Sequence, residues 1–166
     1  QKSNSPIDYK IPNWDKDMIY LVDDKDAIQS QIYFAVNGDV INNQNRAAGE
    51  AYNKYFGTGM GGIIFQEIRE FRSLAYSCYA YYSKPSYNGK KGYLRGYIGC
   101  QADKSIEAIS VFKDLVLNMP EKPERLEYVQ SGLIKSINSG RPSFRSFPKK
   151  VSEWIKMGYS DDPRKK

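Results

Sequence analysis

The sequence predicts an α+β domain of two layers, a mostly antiparallel sheet with helices packed on one face. Three observations carry this prediction. β-rich runs stand close enough to pair locally, helical periodicities come in blocks rather than one after each strand, and 166 residues with 40% hydrophobic content suffice for a single core.

Taken in order, MIYLVDD (18–24) and QSQIYFAVN (29–37) are rich in β-formers and separated by a polar turn, so they read as paired strands. NRAAGEAYNKYF (45–56) holds good helix formers, and Gly57 stands where that helix would stop. In IIFQEIREFRSL (63–74) and the residue after it, Ile64, Ile68, Phe71 and Ala75 recur at helical spacing and mark one buried face. AYSCYAYY (75–82) and GYLRGYIGC (92–100) flank Pro85 and Asn88-Gly89, which is the chemistry of a reversing loop, and form an antiparallel hairpin. Asp103 caps the next helix, whose stripe is Ile106, Ile109, Phe112, Val116 and Met119, ending at Pro120. Pro123 opens another helix with Leu126, Val129, Leu133 and Ile137 on one side and Gly140 after its end. A last helix (148–157) is anchored by Val151, Trp154 and Ile155.

Composition narrows the function. Lys and Arg outnumber Asp and Glu by 25 to 19, a mildly basic balance that permits acidic partners without requiring them. No internal repeat or low-complexity linker divides the chain, and no apolar run approaches the ~18 residues of a spanning helix, so we expect no membrane partner. The sequence has no initiating Met and no signal-peptide core, so we expect an excised fragment of a larger protein. Its compartment stays open, periplasm or cytoplasm if it is bacterial.

Cys78 and Cys100 cannot build a disulfide framework, and without any histidine they complete neither a four-ligand zinc site nor a Cys-His nucleophile. On adjacent strands but out of register, they are expected to be free thiols. Gly57, Gly59 and Gly62 satisfy GxGxxG, yet the run follows a helix rather than a strand, and after Glu70 no acid appears before Asp103 to hold a ribose. No Gly-Lys-Ser/Thr ending makes a phosphate loop either, so the plain reading is a turn in which glycine supplies positive φ. From Phe71 to Ala102 the chain carries five Lys or Arg, seven tyrosines and no acid, a composition that also suits single-stranded RNA. KGYLRGYI (91–98) begins like an RNA-recognition strand, but Leu94 and Arg95 break the pattern, which makes nucleic acid the minority reading.

One segment goes further. YFGTGMGGIIFQEIREFRSLAYSCYA (55–80) resembles the C-terminal domain of the pitrilysin/insulinase family of zinc metallopeptidases, with its glycine-rich turn, its helix bearing Arg-Glu and its Leu-Ala-Tyr-Ser entry to a strand. From about Pro6 to Lys166 the order of elements is similar as well. In that family the catalytic half of a clamshell holds zinc with an inverted HxxEH motif. Because this chain has no histidine, the resemblance implies the partner half, with no metal or catalytic residue of its own and with zinc expected in the catalytic half, in the same chain or a partner subunit.

The resemblance assigns the family's Arg/Tyr pair to Arg69 and Tyr76, which would hold a peptide or polypeptide substrate and the developing oxyanion. If helix continued, seven residues would place the two ~10.5 Å apart along one face. The loop of Gly57, Gly59, Gly61 and Gly62 would give a peptide backbone clearance. Glu67 and Glu70 read as solvated partners for neighbouring arginines rather than as an acid-base pair. The family's domain continues into a further helix and a last strand beyond DDPRKK, so the sheet is expected to lack a strand and to offer an edge through which isolated fragments form dimers. The expected function is therefore the substrate-binding, non-zinc domain of a metalloendopeptidase, inactive alone. Alternatives are a non-catalytic scaffold subunit of the same fold and, third, a single-stranded RNA module.

Overall fold

The computed structural model describes residues 13–165; the N-terminal prolines Pro6 and Pro12 lie outside the described residues. Three strands, β1 (Ser30–Ile41), β2 (Ser77–Ser83) and β3 (Lys90–Cys100), form an antiparallel sheet in the order β1-β3-β2. Between β1 and β2 lie a short helix, α1 (Arg46–Tyr52), and two π-helical turns, Asn53–Gly57 and Phe65–Glu70. After β3 come a 3₁₀ turn (Ala102–Lys104) and helices α2 (Ser105–Leu117), α3 (Pro123–Ser139) and α4 (Phe147–Lys156). This is the α+β arrangement that the sequence predicts, with the hairpin β2-β3 in place.

The first predicted strand does not form. Residues 18–24 adopt no strand, and Ile19, Tyr20, Leu21 and Val22 are almost wholly exposed. β1 instead pairs with β3 along Ser30↔Cys100 to Asn37↔Tyr93, with an irregularity between Asn37 and Val40. β-propensity describes how a side chain fits a pleated surface and does not name its partner, so a β-rich run need not enter the sheet.

The core lies under one face of the sheet. Phe56, Ile63, Ile64, Ile68, Ile98 and Cys100 are fully buried, joined by Leu74, Ala75, Cys78, Ala80, Ala108, Phe112 and Leu115. The opposite face carries a row of tyrosines set by the register Tyr33↔Tyr97↔Tyr79, with ring centroids 5.1 and 5.5 Å apart. Such cross-strand aromatic pairs hold an antiparallel sheet in register.

Both π-helical turns change which residues point inward. Thr58 N–H donates to Asn53 O and Phe71 N–H to Gln66 O, each five residues back and at 2.9 Å. The wider turn advances the phase, so Ile64 and Ile68 are buried as predicted while Phe71 is 67% exposed. Ala75 is buried, but beyond the helix.

In α2 the sequence reading is also rotated. Ala108, Phe112 and Leu115 face the core, whereas Ile106 and Met119 are exposed. The sheet decides this. A Cβ on Gly96 would stand 2.2 Å from the Phe112 ring, so the missing side chain of Gly96 is the hollow that Phe112 fills, and Phe34 stacks on the same ring at 4.2 Å. Asp103 lies in the 3₁₀ turn, and no side chain caps α2 at Lys104.

α3 begins at Pro123 and ends at Gly140 as predicted, yet only Val129 of its stripe is buried; Leu133 packs partly, and Leu126 and Ile137 are exposed. Tyr55 fixes its start. The phenol donates to Pro120 O at 2.7 Å and accepts from Lys122 N–H at 2.8 Å, while Arg125 Nε donates to Tyr55 O at 3.2 Å. In α4 Trp154 is the buried anchor, with Val151 half-buried and Ile155 exposed.

Both cysteines are buried free thiols. Cys78 pairs with Ile98 and Cys100 with Ser30, which leaves them two residues out of register. Cys78 Sγ donates to Ile64 O at 3.6 Å, and burial pushes its thiol up to about 11 against the opposing charge of Arg69.

Candidate functional site

The segment that the sequence singles out runs from the first π-helical turn through the glycine loop and the second turn to the start of β2. It lies against the outer edge of β2. Asn53, a buried polar residue, donates to Tyr82 O at 3.0 Å and accepts from Tyr82 N–H at 2.7 Å, as a neighbouring strand would. Backbone groups alternate in direction along a strand, so Tyr82, Ala80 and Cys78 point away from β3, while Ser77, Tyr79 and Tyr81 bond to it. Gly57 completes the cover, because a Cβ there would lie 1.7 Å from Ala80 O.

The four glycines therefore differ in what they do. Gly57 gives clearance to the chain's own β2, and Gly62 packs so closely on the same loop that a Cβ there would stand 3.1 Å from Thr58 N and 3.2 Å from Phe56 O. Gly59 has φ +77 and an open surrounding, which is the positive φ expected of a turn. Gly61 is exposed beside Arg125. Gly59, Met60 and Gly61 thus form an uncovered backbone tip.

Arg69 and Tyr76 sit on different elements. The helix does not continue between them, because Ser73 takes φ 51 and turns the chain, with Leu74 N–H donating to Ile68 O at 2.9 Å. The continuous helical face is thereby replaced by a turn. Arg69 ends the second π-helical turn, with its guanidinium 4.9 Å over the Phe65 ring and 3.8 Å from Glu70. Tyr76 stands one residue before β2, anchored by Tyr76 N–H donating to Gly99 O at 2.9 Å, and its hydroxyl accepts from Gln101 Nε2 at 3.3 Å. No hydrogen bond or ring contact joins the two side chains among the described residues, yet both heads remain available: the Arg69 side chain is 48% exposed and Tyr76 55%.

Cys78 relates them in space. Arg69 acts electrostatically on its thiol, and Tyr76 lies two residues before it in the chain, at the entry to β2. Lys104 Nζ reaches Ser73 O at 3.4 Å, which sets the 3₁₀ turn after β3 against the 69–76 segment. Phe65 and Gln101, which hold the two side chains, escaped the sequence reading; a stacking partner four residues back was visible in principle, whereas Gln101 meets Tyr76 only through the sheet.

Glu67 is no solvated partner. Its side chain is 16% exposed and takes Arg72 Nη1 at 2.5 Å and Lys122 Nζ at 3.4 Å, tying this turn to the start of α3. The hydrogen bond from Arg72 holds its carboxyl below the usual range, with burial opposing and Lys122 assisting. A lowered folded pKa means that the stabilisation is present above the unfolded value of ~4.3 and is lost as pH falls through the folded one. Glu67→Gln is therefore expected to lower the urea midpoint at pH 7, with the gap to the parent shrinking as acid protonates the carboxyl; a gap that does not shrink on acidification would contradict this.

No group of three or more metal-ligating side chains occurs among the described residues. With no histidine, and with both cysteines buried, the donor set does not fit zinc. Two surface hollows lie elsewhere. One of about 430 Å³ is formed by Ile137, Gly140, Arg141, Phe147 and Arg164, at the far end of α3 from Arg69 and Tyr76. Arg69 and Tyr76 line neither of these hollows, and no described helix is long and apolar enough to cross a membrane.

Comparison with known proteins identifies the chain. The family model described as peptidase M16 inactive domain matches residues 4–143. The chain belongs to this family. The peptidase M16 inactive-domain fold is also found in solved structures. A peptidase M16 inactive domain from Pseudomonas fluorescens superposes with TM-score 0.63 at 19% identity over 78% of this chain and 31% of its own. A protease from Helicobacter pylori gives 0.62 at 10% identity, covering 81% of this chain and 33% of its own. A conserved protein from Enterococcus faecalis gives 0.60 at 17%, covering 83% and 32%. The chain thus spans about a third of the length of each of these structures. No curated protein sequence matches it. As an inactive domain of the family, it implies a catalytic half outside this sequence.

Proposed function

We propose that this peptidase M16 inactive domain is the substrate-binding half of a zinc metalloendopeptidase, and that it acts through Arg69 and Tyr76. What supports the reading is that, in a domain of this family, the two polar heads stand exposed at one end of the sheet while Tyr55, Phe56, Ile63, Ile64, Ile68, Leu74 and Ala75 of the same segment are buried. Arg69 offers several N–H donors to a substrate carbonyl, and Phe65 restrains its guanidinium without consuming them. Tyr76 keeps its hydroxyl hydrogen free, since its bond to Gln101 is one that it accepts. Such a donor stabilises the negative charge that builds on the carbonyl oxygen during amide attack. The metal and the attacking water belong to the catalytic half, and the exposed Gly59–Gly61 tip leaves room for a peptide backbone to pass.

In the complete enzyme, Tyr76→Phe is expected to lower kcat by ~100-fold with zinc content and thermal stability unchanged, by analogy with the loss of one oxyanion donor. Unaltered turnover would remove the mechanistic assignment. If the parent protein lacks an upstream HxxEH, the same domain serves instead as a non-catalytic scaffold.

A further inference from the structure

The two edges of the sheet are treated differently. β2 is closed by Asn53 and Gly57, but among the described residues the backbone along the outer edge of β1 is uncovered, and only Trp14 reaches its end, through hydrogen bonds with the Asn37 side chain. The alternation that turns Tyr82 away from β3 makes Gly99, Tyr97 and Arg95 bond to β2, so Ile98, Gly96 and Leu94 bond to β1. It follows that Ile32, Phe34 and Val36 spend their backbone groups on β3, and that Gln31, Tyr33, Ala35 and Asn37 direct theirs outward. No described residue hydrogen-bonds those outward amides and carbonyls.

Natural edges are guarded by charge, proline, bulges or brevity. β1 has none of these over most of its length. Residues 30–37, SQIYFAVN, hold no charged residue and no proline, and the irregularity comes only between Asn37 and Val40. Tyr33 and Val36 are more than half exposed.

We propose that this edge is an interaction surface for a second copy of the chain, two β1 strands pairing antiparallel about a twofold axis to give one six-stranded sheet. The side chains select that partner. A neutral strand has nothing to attract an acidic or basic ligand, but laid against itself it brings no like charges together in a protein that otherwise carries +6. With the axis at Phe34, Tyr33 of one copy lies opposite Ala35 of the other, large against small; Gln31 meets Asn37, and Ile32 meets Val36 on the apolar face. The outward groups of 31, 33, 35 and 37 are then satisfied in both copies, and an isologous contact of this kind closes on itself.

The test is the mass of the 166-residue chain in solution, together with amide exchange. Sedimentation at micromolar concentrations is expected to give twice 19.0 kDa, with exchange at the Tyr33 and Ala35 amides slowing as concentration rises. Ala35→Pro removes an outward N–H without touching the β1-β3 ladder, and Tyr33→Lys places a charge beside its own copy; each is expected to return the protein to monomer with its circular dichroism retained. A monomeric parent chain, a dimer that survives both changes, an open-ended assembly, or exchange at Tyr33 and Ala35 that ignores concentration would each overturn the proposal.

Discussion

Gly57→Ala is expected to destabilise the domain by about 3 kcal/mol or more, the largest loss for any single methyl added to the glycine loop. The new Cβ would stand 1.7 Å from Ala80 O and 2.6 Å from its carbonyl carbon, about half a van der Waals distance, and both obstacles are backbone. No rotamer change relieves such a clash. Either β2 or the end of the first π-helical turn must shift by more than 1 Å in order of magnitude, and the neighbours Phe56, Ile64 and Ala80 are wholly buried, with no slack to absorb the movement. Urea unfolding should show a lower midpoint at unchanged slope. For a chain of this size the melting temperature should fall by roughly 6–12 °C. Two companions isolate the cause. Gly59→Ala meets no atom within 4 Å but sits at φ +77, so its cost should be only ~1–2 kcal/mol, from backbone strain. Gly61→Ala, with Arg125 at 3.6 Å and no positive φ, should be close to neutral. If all three lost the same stability, close packing on β2 would not be the reason for Gly57.

Asn53→Leu should cost about 3 kcal/mol, because it leaves both Tyr82 N–H and Tyr82 O without their partner, each worth ~1–3 kcal/mol when stranded. The side chain itself is nearly isosteric and the site is buried, so the effect belongs to the polar pair rather than to volume. Asn53→Asp is the graded control. It keeps an acceptor for Tyr82 N–H at 2.7 Å and loses the donor to Tyr82 O, so it should fall between parent and leucine. Amide exchange at Tyr82 should accelerate in the leucine variant while the amides of Tyr79 and Tyr81, bonded to β3, respond less. Uniform acceleration along β2 would point to global destabilisation and would separate the clamp from ordinary core damage.

Much of this was legible from residues alone. The Asn88-Gly89 turn between two tyrosine-rich runs specified the β2-β3 hairpin, Pro123 and Gly140 bounded α3, and the run around Arg69 and Tyr76 marked the family and its histidine-free half. Local signals of this kind survive because the turn and the helix end are decided within a few residues. Other readings failed for a common reason. Residues 18–24 have the composition of a strand but stay outside the sheet, and the stripe of α2 is turned so that Phe112 can fill the space above Gly96. A continuous helix from 63 to 74 would have put Phe71 inside and Arg69 on one face with Tyr76, yet five-residue hydrogen bonds and the left-handed Ser73 moved both.

By itself, then, the sequence determined the pairing of β2 with β3, the bounds of α3 and the lack of an HxxEH motif, since these follow from turn chemistry, periodicity and the side chains present. Tertiary structure decided which edge of the sheet is closed and which is open, which face of each helix is buried, and how Arg69 and Tyr76 are held. Those depend on contacts between residues far apart in the chain, Asn53 with Tyr82, Gly96 with Phe112 and Tyr76 with Gln101, whose free energy comes from shape and hydrogen bonding at close range.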